Sequence, residues 1–259
     1  MRLEREAVSK PALNRRRVPL LARLAVPSRA IHCWASQQWH PNQVLKLVLA
    51  KSVAIVLVAG VYAPSERRVL ADEPSKPGVA IFDGTSLDGW EGNTEWFRVQ
   101  DGAIKAGSLE KRIPRNEFLC TTKEYGDFEL RLKFKLVGRG ANAGVQLRSR
   151  RIPNHHEMRG YQADMGQGWW GCLYDESRRN RVLAGPDKAE LAKVLKPDDW
   201  NDYRIRCQGR RIQLWINGLQ TVDYTEPDEK LEQRGLIGLQ IHGGPPSEAW
   251  YKDLVLEAL

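Results

Sequence analysis

Residues 127–137, DFELRLKFKLV, restrict the fold of this chain more than any other stretch. Apolar residues alternate strictly there with charged ones: Phe128, Leu130, Leu132, Phe134 and Leu136 against Glu129, Arg131, Lys133 and Lys135. Successive side chains of a β-strand point to opposite faces, so this pattern predicts a strand with one face in a core and the other in water. The chain therefore contains a half-buried sheet.

The remaining sequence after Pro77 gives the same signal. Asp101-Gly102 and Asn217-Gly218 are pairs that favour two-residue hairpin turns, and residues 188–194 contain the one helical turn that we predict. Short strands are predicted at 79–82, 96–99, 103–106, 118–121, 145–148, 203–207, 211–216, 219–224, 236–242 and 250–256. About a dozen strands with little helix predict an all-β antiparallel β-sandwich. Without an internal linker or repeat, residues 72–259 are expected to form a single domain.

The first 71 residues differ in charge from the rest. They contain 12 Lys and Arg against 3 Asp and Glu, a net charge of +9, whereas residues 72–259 carry 28 basic and 29 acidic groups, a net charge of −1. The excess charge of the chain therefore lies in this leader. A nucleic-acid partner needs a basic face on the folded domain, so none is expected.

The leader has the parts of an export signal. Lys46 and Lys51 form a positively charged start before the apolar run at residues 52–62, and Val69-Leu70-Ala71 is a processing site of small residues. A retained membrane anchor is the alternative, but residues 44–63 are only 20 long and contain two lysines, which are costly at mid-bilayer. We expect cleavage after Ala71, hence an exported protein without a stable membrane anchor.

Residues 1–43 are longer than the basic start of a normal export signal. We expect translation to begin near Val44. A twin-arginine signal at Arg15-Arg16 is the other interpretation, although more than 30 residues separate it from the apolar run.

Residues 159–177, RGYQADMGQGWWGCLYDES, combine the side chains that recognise sugars. In a strand, Gln162 and Asp164 share one face while Tyr161, Ala163 and Met165 take the other. A Gly-rich turn and two tryptophans follow. Amides, carboxylates and aromatic rings bind sugar hydroxyls and stack on sugar rings, so this stretch predicts either a carbohydrate site or a plain outer strand followed by a core-packing loop.

Two further strands repeat the pairing of an amide with an ionisable side chain. If the apolar residues of these strands are in the core, three strands place such pairs on one face: Gln146 with Arg148, Gln162 with Asp164, and Gln240 with His242. A purely solvated face carries Lys and Glu instead. We therefore predict a concave polar site on this face, with anchoring of the following loop as the alternative role of His242.

Six blocks of the chain, in order, resemble the 3-keto-disaccharide hydrolase domain family, formerly domain of unknown function 1080. They are IFDGTSLDGW, TTKEYGDFELRLKFKL, NAGVQLRS, GYQADMGQGWWGCLYDES, WNDYRIRCQGRRIQLWINGLQTVDY and GLIGLQIHGG. The resemblance spans about residues 80–256. It implies a concanavalin-like jelly roll, bacterial proteins exported to the periplasm or beyond, and activity on glycosides oxidised to a ketone at carbon 3. Relatives read Tyr-Glu-x-Gln at residues 161–164, so a catalytic Glu is not carried over to Gln162.

A ketone at C3 acidifies the proton at C2, so the glycosidic bond can break by loss of that proton and of the aglycone. Such a reaction needs a base and a group that stabilises the enolate oxygen. We predict Asp164 or His242 as the base and Arg148, with an optional divalent cation, at the enolate; the sequence names no metal ligands and no certain cofactor. The substrate-binding candidates are Gln146, Gln162, Trp169, Trp170, Tyr174, Asp175 and Gln240.

Three alternatives stay open at this point. Of Trp169 and Trp170, we expect one to be a sugar platform and the other a core residue. Asp175 and Glu176 are either ligands or part of a solvated turn, and an ordinary two-carboxylate glycosidase would need one of them beside Asp164. A non-catalytic, lectin-like carbohydrate-binding module would keep the tryptophans and amides and need no base.

The export leader makes a direct prediction. N-terminal sequencing of exported protein should begin at Asp72, because the small residues before it fit a processing site. Recovery of an intact leader in the membrane fraction would contradict this expectation.

Overall fold

The computed structural model describes residues 78–259 of the chain. The expectations for the leader, residues 1–71, lie outside this part. Within it, no helix is long and apolar enough to span a membrane. Nearly all of the regular structure is β, with one short helix at Lys188–Val194.

The strands form antiparallel pairs throughout. In chain order they are β1 (Val79–Ala80), β2 (Trp90–Glu91), β3 (Phe97–Gln100), β4 (Ala103–Ser108), β5 (Glu117–Tyr125), β6 (Phe128–Val137), β7 (Asn142–Arg151), β8 (Met158–Gly166), β9 (Leu173–Glu176), β10 (Val182–Ala184), β11 (Asn201–Gln208), β12 (Arg211–Ile216), β13 (Leu219–Thr225), β14 (Gly235–Ile241) and β15 (Ser247–Ala258), with helix α1 (Lys188–Val194) between β10 and β11.

Two sheets contain these strands. The eight-stranded sheet has the order β13-β12-β11-β6-β15-β4-β3, and β1 pairs with β15 beside it. The seven-stranded sheet has the order β10-β9-β8-β7-β14-β5-β2. Non-consecutive neighbours such as β6 and β15 require long crossover connections, as in a jelly roll. The predicted all-β antiparallel sandwich is confirmed.

The core lies between the two sheets. Strand β6 contributes the five apolar side chains of its alternating pattern, all at most 5% exposed. The seven-stranded sheet meets them with one face of each central strand, for example Val145 of β7, Ala163 of β8 and Leu239 of β14, each fully buried. These residues belong to one continuous apolar cluster. The strand faces predicted from periodicity are therefore correct.

Glu129 is an exception to the predicted solvated face of β6. It is only 2% exposed, since Arg131, Arg204 and Arg206 surround its carboxylate and form ion pairs with it. These cations hold the pKa of Glu129 below its usual value in spite of the opposing effect of burial. This end of the face is a buried ion cluster, because three long cationic side chains exclude water from a single carboxylate.

The two predicted hairpin turns form as expected. Asp101 and Gly102 have φ angles of 52° and 70°, and Asn217 and Gly218 have 48° and 84°. Positive φ at both central residues is the type I′ geometry that matches the twist of antiparallel strands. The short strands β2, β9 and β10, in contrast, were not predicted, because segments of two to four residues carry too little alternation to be recognised.

Strand β6 supplies a test of the two faces. Leu132→Asp should destabilise the protein by at least about 3 kcal/mol, because it buries an unpaired charge in the core. The neighbouring Lys133→Ala should change stability by less than about 1 kcal/mol, since it removes only an exposed ion pair with Asp202. Urea unfolding followed by circular dichroism measures both, and equal damage from the two variants would mean that the faces are assigned wrongly.

Candidate functional site

A pocket of about 320 Å³ opens on the outer face of the seven-stranded sheet. Strands β8, β7 and β14 are neighbours there, as the shared amide pattern predicted. Two of the three predicted catalytic residues, Asp164 and His242, lie on its wall. The complete lining is Asn116, Asn142, Gln162, Asp164, Trp169, Tyr174, Glu176 and His242.

Gly144 makes room on the floor of this site. It lies on β7, directly opposite Asp164 on one side and Gln240 on the other. A Cβ atom at Gly144 would lie 2.6 Å from Cγ of Gln162, closer than real Cβ contacts allow. The absence of a side chain therefore lets the Gln162 amide pass across the sheet toward its partners.

A chain of hydrogen bonds runs under the pocket. Gln146 Nε2 donates to Gln162 Oε1 over 2.7 Å, and Gln162 Nε2 donates to Asp164 Oδ1 over 2.7 Å and to Gln240 Oε1 over 3.2 Å. Gln146 and Gln240 are completely buried and do not line the pocket. Two of the three predicted amide ligands thus support the floor, and Gln162 alone reaches the cavity.

Asp164 is a buried carboxyl group with few hydrogen bonds to replace its lost hydration. Its residue is 4% exposed, and the one hydrogen bond to its carboxyl from the described residues comes from Gln162. Burial raises the pKa of Asp164 to about 8, with Glu176 adding to the effect and the Gln162 amide opposing it. This group therefore keeps its proton at neutral pH, which suits a proton donor.

Glu176 is the second carboxyl group of the pocket, and its pKa is lower than that of Asp164. Burial, followed by repulsion from Glu157, raises the pKa of Glu176 to about 7. Glu176 pairs with Gly160, four residues or about 13 Å along β8 from Asp164. The two residues therefore lie in separate rows of the sheet, and no hydrogen bond joins their carboxyl groups among the described contacts.

The tandem tryptophans divide as predicted into one surface and one core residue. Trp169 is 39% exposed and lines the pocket, where its ring meets Tyr174 edge to face with 5.7 Å between centroids. Trp170 instead packs on Phe134 of the core, 6.0 Å away. Trp170 is therefore wrongly included among the substrate ligands, whereas Trp169 and Tyr174 form the aromatic wall that can stack on a sugar face.

His242 stands at the rim with a defined tautomer. Its Nδ1 lies 2.7 Å from the carbonyl oxygen of Gly243. Because a carbonyl only accepts, Nδ1 must donate, which leaves the lone pair on Nε2 of the neutral ring. The backbone N–H of His242 also donates to the carbonyl of Asn142 over 3.0 Å, so this rim residue is fixed beside β7.

Arg148 does not reach the pocket, which corrects its predicted place beside Gln146. The β7–β8 register shifts between Leu147 and Arg150, and Arg148 has a φ of 48°. This bulge turns its side chain to the end of the sandwich, where it is 3% exposed. Its guanidinium donates there to Gly126, Gly209, Gln233 and Asp127. A role at an enolate in the pocket is not available to it.

Asp175 is likewise wrongly predicted as a ligand. Strand β9 alternates, so Tyr174 and Glu176 face the pocket while Asp175 points away and is fully buried. Its carboxylate pairs with Arg178 and Arg179. Of these two acidic neighbours, Glu176 lines the pocket and Asp175 does not.

Two pocket residues, Asn116 and Asn142, were missed in the sequence, and Glu176 was named there only as one of two alternatives. Asn142 and Asn116 precede or begin strands, and nothing in their local pattern distinguishes them from ordinary turn residues. Asn116 is held by its own contacts, since its amide donates to Glu157 and accepts from Gly243 N–H. Glu176 left a signal that could have been used, namely its spacing of two from Tyr174 in a short alternating segment.

The described residues contain no cluster of three or more His, Cys, Asp or Glu side chains that could hold a metal ion. The optional divalent cation therefore gains no ligand set in this part of the chain. The pocket itself offers a carboxyl group that is protonated at neutral pH, a second carboxyl group with a pKa near 7, an imidazole ring and an aromatic wall. This combination suits acid–base chemistry on a sugar.

Solved structures share the fold at low sequence identity. Two candidate glycosyl hydrolases of Parabacteroides distasonis match with TM-scores of 0.54 and 0.52 and identities of 15% and 23%; each covers 71% of this chain, and the match covers 94% and 98% of theirs. The carbohydrate binding module CBM66 of Bacillus subtilis matches with a TM-score of 0.52 and 14% identity, over 66% of this chain and 96% of its own. No curated protein sequence matches the chain.

The family profile described as the 3-keto-alpha-glucoside-1,2-lyase-like domain matches residues 78–257. This is the whole sandwich, including every residue of the pocket. The resemblance stated from the six sequence blocks is confirmed, and the chain belongs to the 3-keto-alpha-glucoside-1,2-lyase-like family.

Proposed function

We propose that this protein cleaves glycosides whose sugar carries a ketone at carbon 3, by removing the C2 proton and expelling the aglycone. Family membership supports the substrate class. The observation that carries the proposal is the pair of pocket carboxyl groups, Asp164 and Glu176, whose pKa values are raised to about 8 and about 7. Proton transfer at a sugar requires groups whose pKa values lie near neutral pH.

Asp164 serves as the acid in this proposal. It holds its proton at pH 7 and lies on the wall beside Trp169. An aglycone leaving as an alkoxide is a poor leaving group, so a proton delivered to the glycosidic oxygen lowers the barrier. The predicted choice of Asp164 as the base is less favourable, because a base must be ionised before it can act.

His242 serves as the base. With Nδ1 committed to the Gly243 carbonyl, Nε2 is the ring nitrogen that is left to accept a proton. Glu176, which also lines the cavity, accepts hydrogen bonds from sugar hydroxyls once it is ionised above pH about 7. The enolate oxygen is assigned to the amide of Asn142, whose backbone carbonyl accepts a hydrogen bond from His242 N–H, and no longer to Arg148.

The atoms balance in two steps. The C2–H bond breaks and its proton goes to His242, a C1=C2 double bond forms, and the C1–O bond breaks as Asp164 protonates the departing oxygen. The product is an unsaturated 3-keto sugar. Water then adds its hydroxyl to C1 and gives its proton to Asp164, while protonated His242 delivers a proton to C2, which restores both catalytic groups. We also propose that the reaction takes place outside the cytoplasm, as the leader in the sequence suggests.

Leaving-group chemistry separates the acid from the base. With a 3-keto alkyl glycoside, Asp164→Asn and His242→Ala should each lower kcat/KM by roughly 10²-fold or more. With the matched 3-keto 4-nitrophenyl glycoside, whose phenolate leaves unaided, Asp164→Asn should recover most of the rate while His242→Ala stays slow. In deuterated water, the released sugar should carry deuterium at C2.

Matched controls lie outside the pocket. His155→Ala removes a surface histidine, and Asp223→Asn removes an exposed carboxylate paired with Arg211; neither should alter the rate. Equal cleavage of the unoxidised parent glycoside without the C2 label would indicate an ordinary glycosidase. Saturable binding of the 3-keto glycoside without cleavage would indicate the lectin-like alternative.

The raised pKa of Asp164 predicts a descending limb in the pH–rate profile, that is, a pH range over which the rate falls. Because the acid must be protonated, the rate of alkyl glycoside cleavage should fall as pH rises through about 8. Glu176→Gln removes a neighbouring negative charge, so it should lower the pKa of Asp164 and move the limb to lower pH. A pH–rate profile measures this, and a limb that also appears with the nitrophenyl substrate would contradict the role of Asp164.

A further inference from the structure

A second cavity, which we call the cationic cleft, lies at the end of the sandwich near the bulge of β7. It has a volume of about 320 Å³ and shares no lining residue with the pocket. Six of its eight lining residues are basic: Arg148, Arg150, Arg159, Arg178, Lys230 and Arg234, beside Leu231 and Glu232. The domain as a whole is close to neutral, so this concentration of positive charge is local.

The carboxylates around the cleft do not balance these cations. Asp127 pairs with Arg148, Asp175 with Arg178, and Glu124 and Glu232 both with Arg150, while Arg234 shares Glu124. Six cations against four carboxylates leave an excess of two positive charges. The two lining cations whose side chains form no hydrogen bond or ion pair with any described residue are Arg159 and Lys230.

One residue of the cleft wall, Arg178, is held by two contacts and has one N–H group without an acceptor among the described residues. Arg178 Nε donates to Asp175 over 2.8 Å, and its guanidinium lies 4.4 Å above the ring of Tyr161. Its Nη2 is buried and has no hydrogen-bond partner among the described residues. A buried charged donor without an acceptor is costly, and an anion in the cleft would remove that cost.

We propose that the cationic cleft binds an oxyanion group, held by Arg159, Lys230 and the free Nη2 of Arg178. Sulfate, phosphate and carboxylate all offer oxygens that match guanidinium donors at short distance. The group arrives either as a free inorganic ion or on a sugar acid. This site is separate from the proposed chemistry of the pocket and does not depend on it.

Isothermal titration calorimetry at constant ionic strength in chloride tests the site. The probes are inorganic sulfate, inorganic phosphate and glucuronate. At least one should bind saturably, and Arg159→Ala and Lys230→Ala should each weaken that binding about tenfold or more, because each removes a direct charge-assisted contact. The control Arg112→Ala removes an exposed arginine outside the cleft and should leave binding unchanged.

The pattern of probes identifies the source of the anion. Binding of sulfate or phosphate without glucuronate supports a free tetrahedral ion, and preference for glucuronate supports an acidic sugar. Arg159→Lys should retain only part of the affinity, since it keeps the charge and loses the planar fork. No saturable heat with any probe, or equal affinity in Arg159→Ala and Arg112→Ala with native circular dichroism, would overturn the proposal.

Discussion

The hydrogen bond that Gln162 donates to Asp164 is what allows a carboxyl group to lie buried on the outer face of the seven-stranded sheet. Gln162 reaches it because Gly144, on the next strand, has no side chain in the path of the amide. Gln146 donates to Gln162 in turn and fixes its orientation. One neutral amide compensates only part of the lost hydration, so the pKa of Asp164 stays high.

The burial of Asp164 lowers the stability of the folded protein at pH values where this carboxyl group would be ionised in water. The pKa of Asp164 in the folded protein, about 8, lies above its ordinary value of 3.8. Below pH about 4 the group is protonated in both states and carries no penalty; as pH rises the unfolded chain loses the proton first, so stability falls, and the cost is complete above pH about 8. A simple outer strand would gain nothing from such a residue, which favours a functional reason for its burial.

Alternation in the sequence predicted the architecture well, because each half-buried strand must satisfy period two. It placed Val145, Ala163 and Leu239 in the core and Asp164 on the polar face, and the structure agrees. It left Glu176 undecided between a ligand and a turn residue, because its strand is only four residues long. Periodicity predicts which residues of a strand share a face, but it does not predict whether a short segment joins a sheet.

It failed for Arg148 for a different reason, which links the two sites. A positive φ at a non-glycine residue costs about 1–3 kcal/mol, and four hydrogen bonds from the Arg148 guanidinium offset that cost. The resulting bulge ends the polar face of β7 after Gln146 and sends Arg148 and Arg150 into the cationic cleft. One strand thus supports the floor of an acid–base pocket on one side of the bulge and the wall of a cationic cavity on the other. Continuing β7 without the bulge would place Arg148 opposite Gly160, in the row of Glu176, where its positive charge would lower the pKa of Glu176.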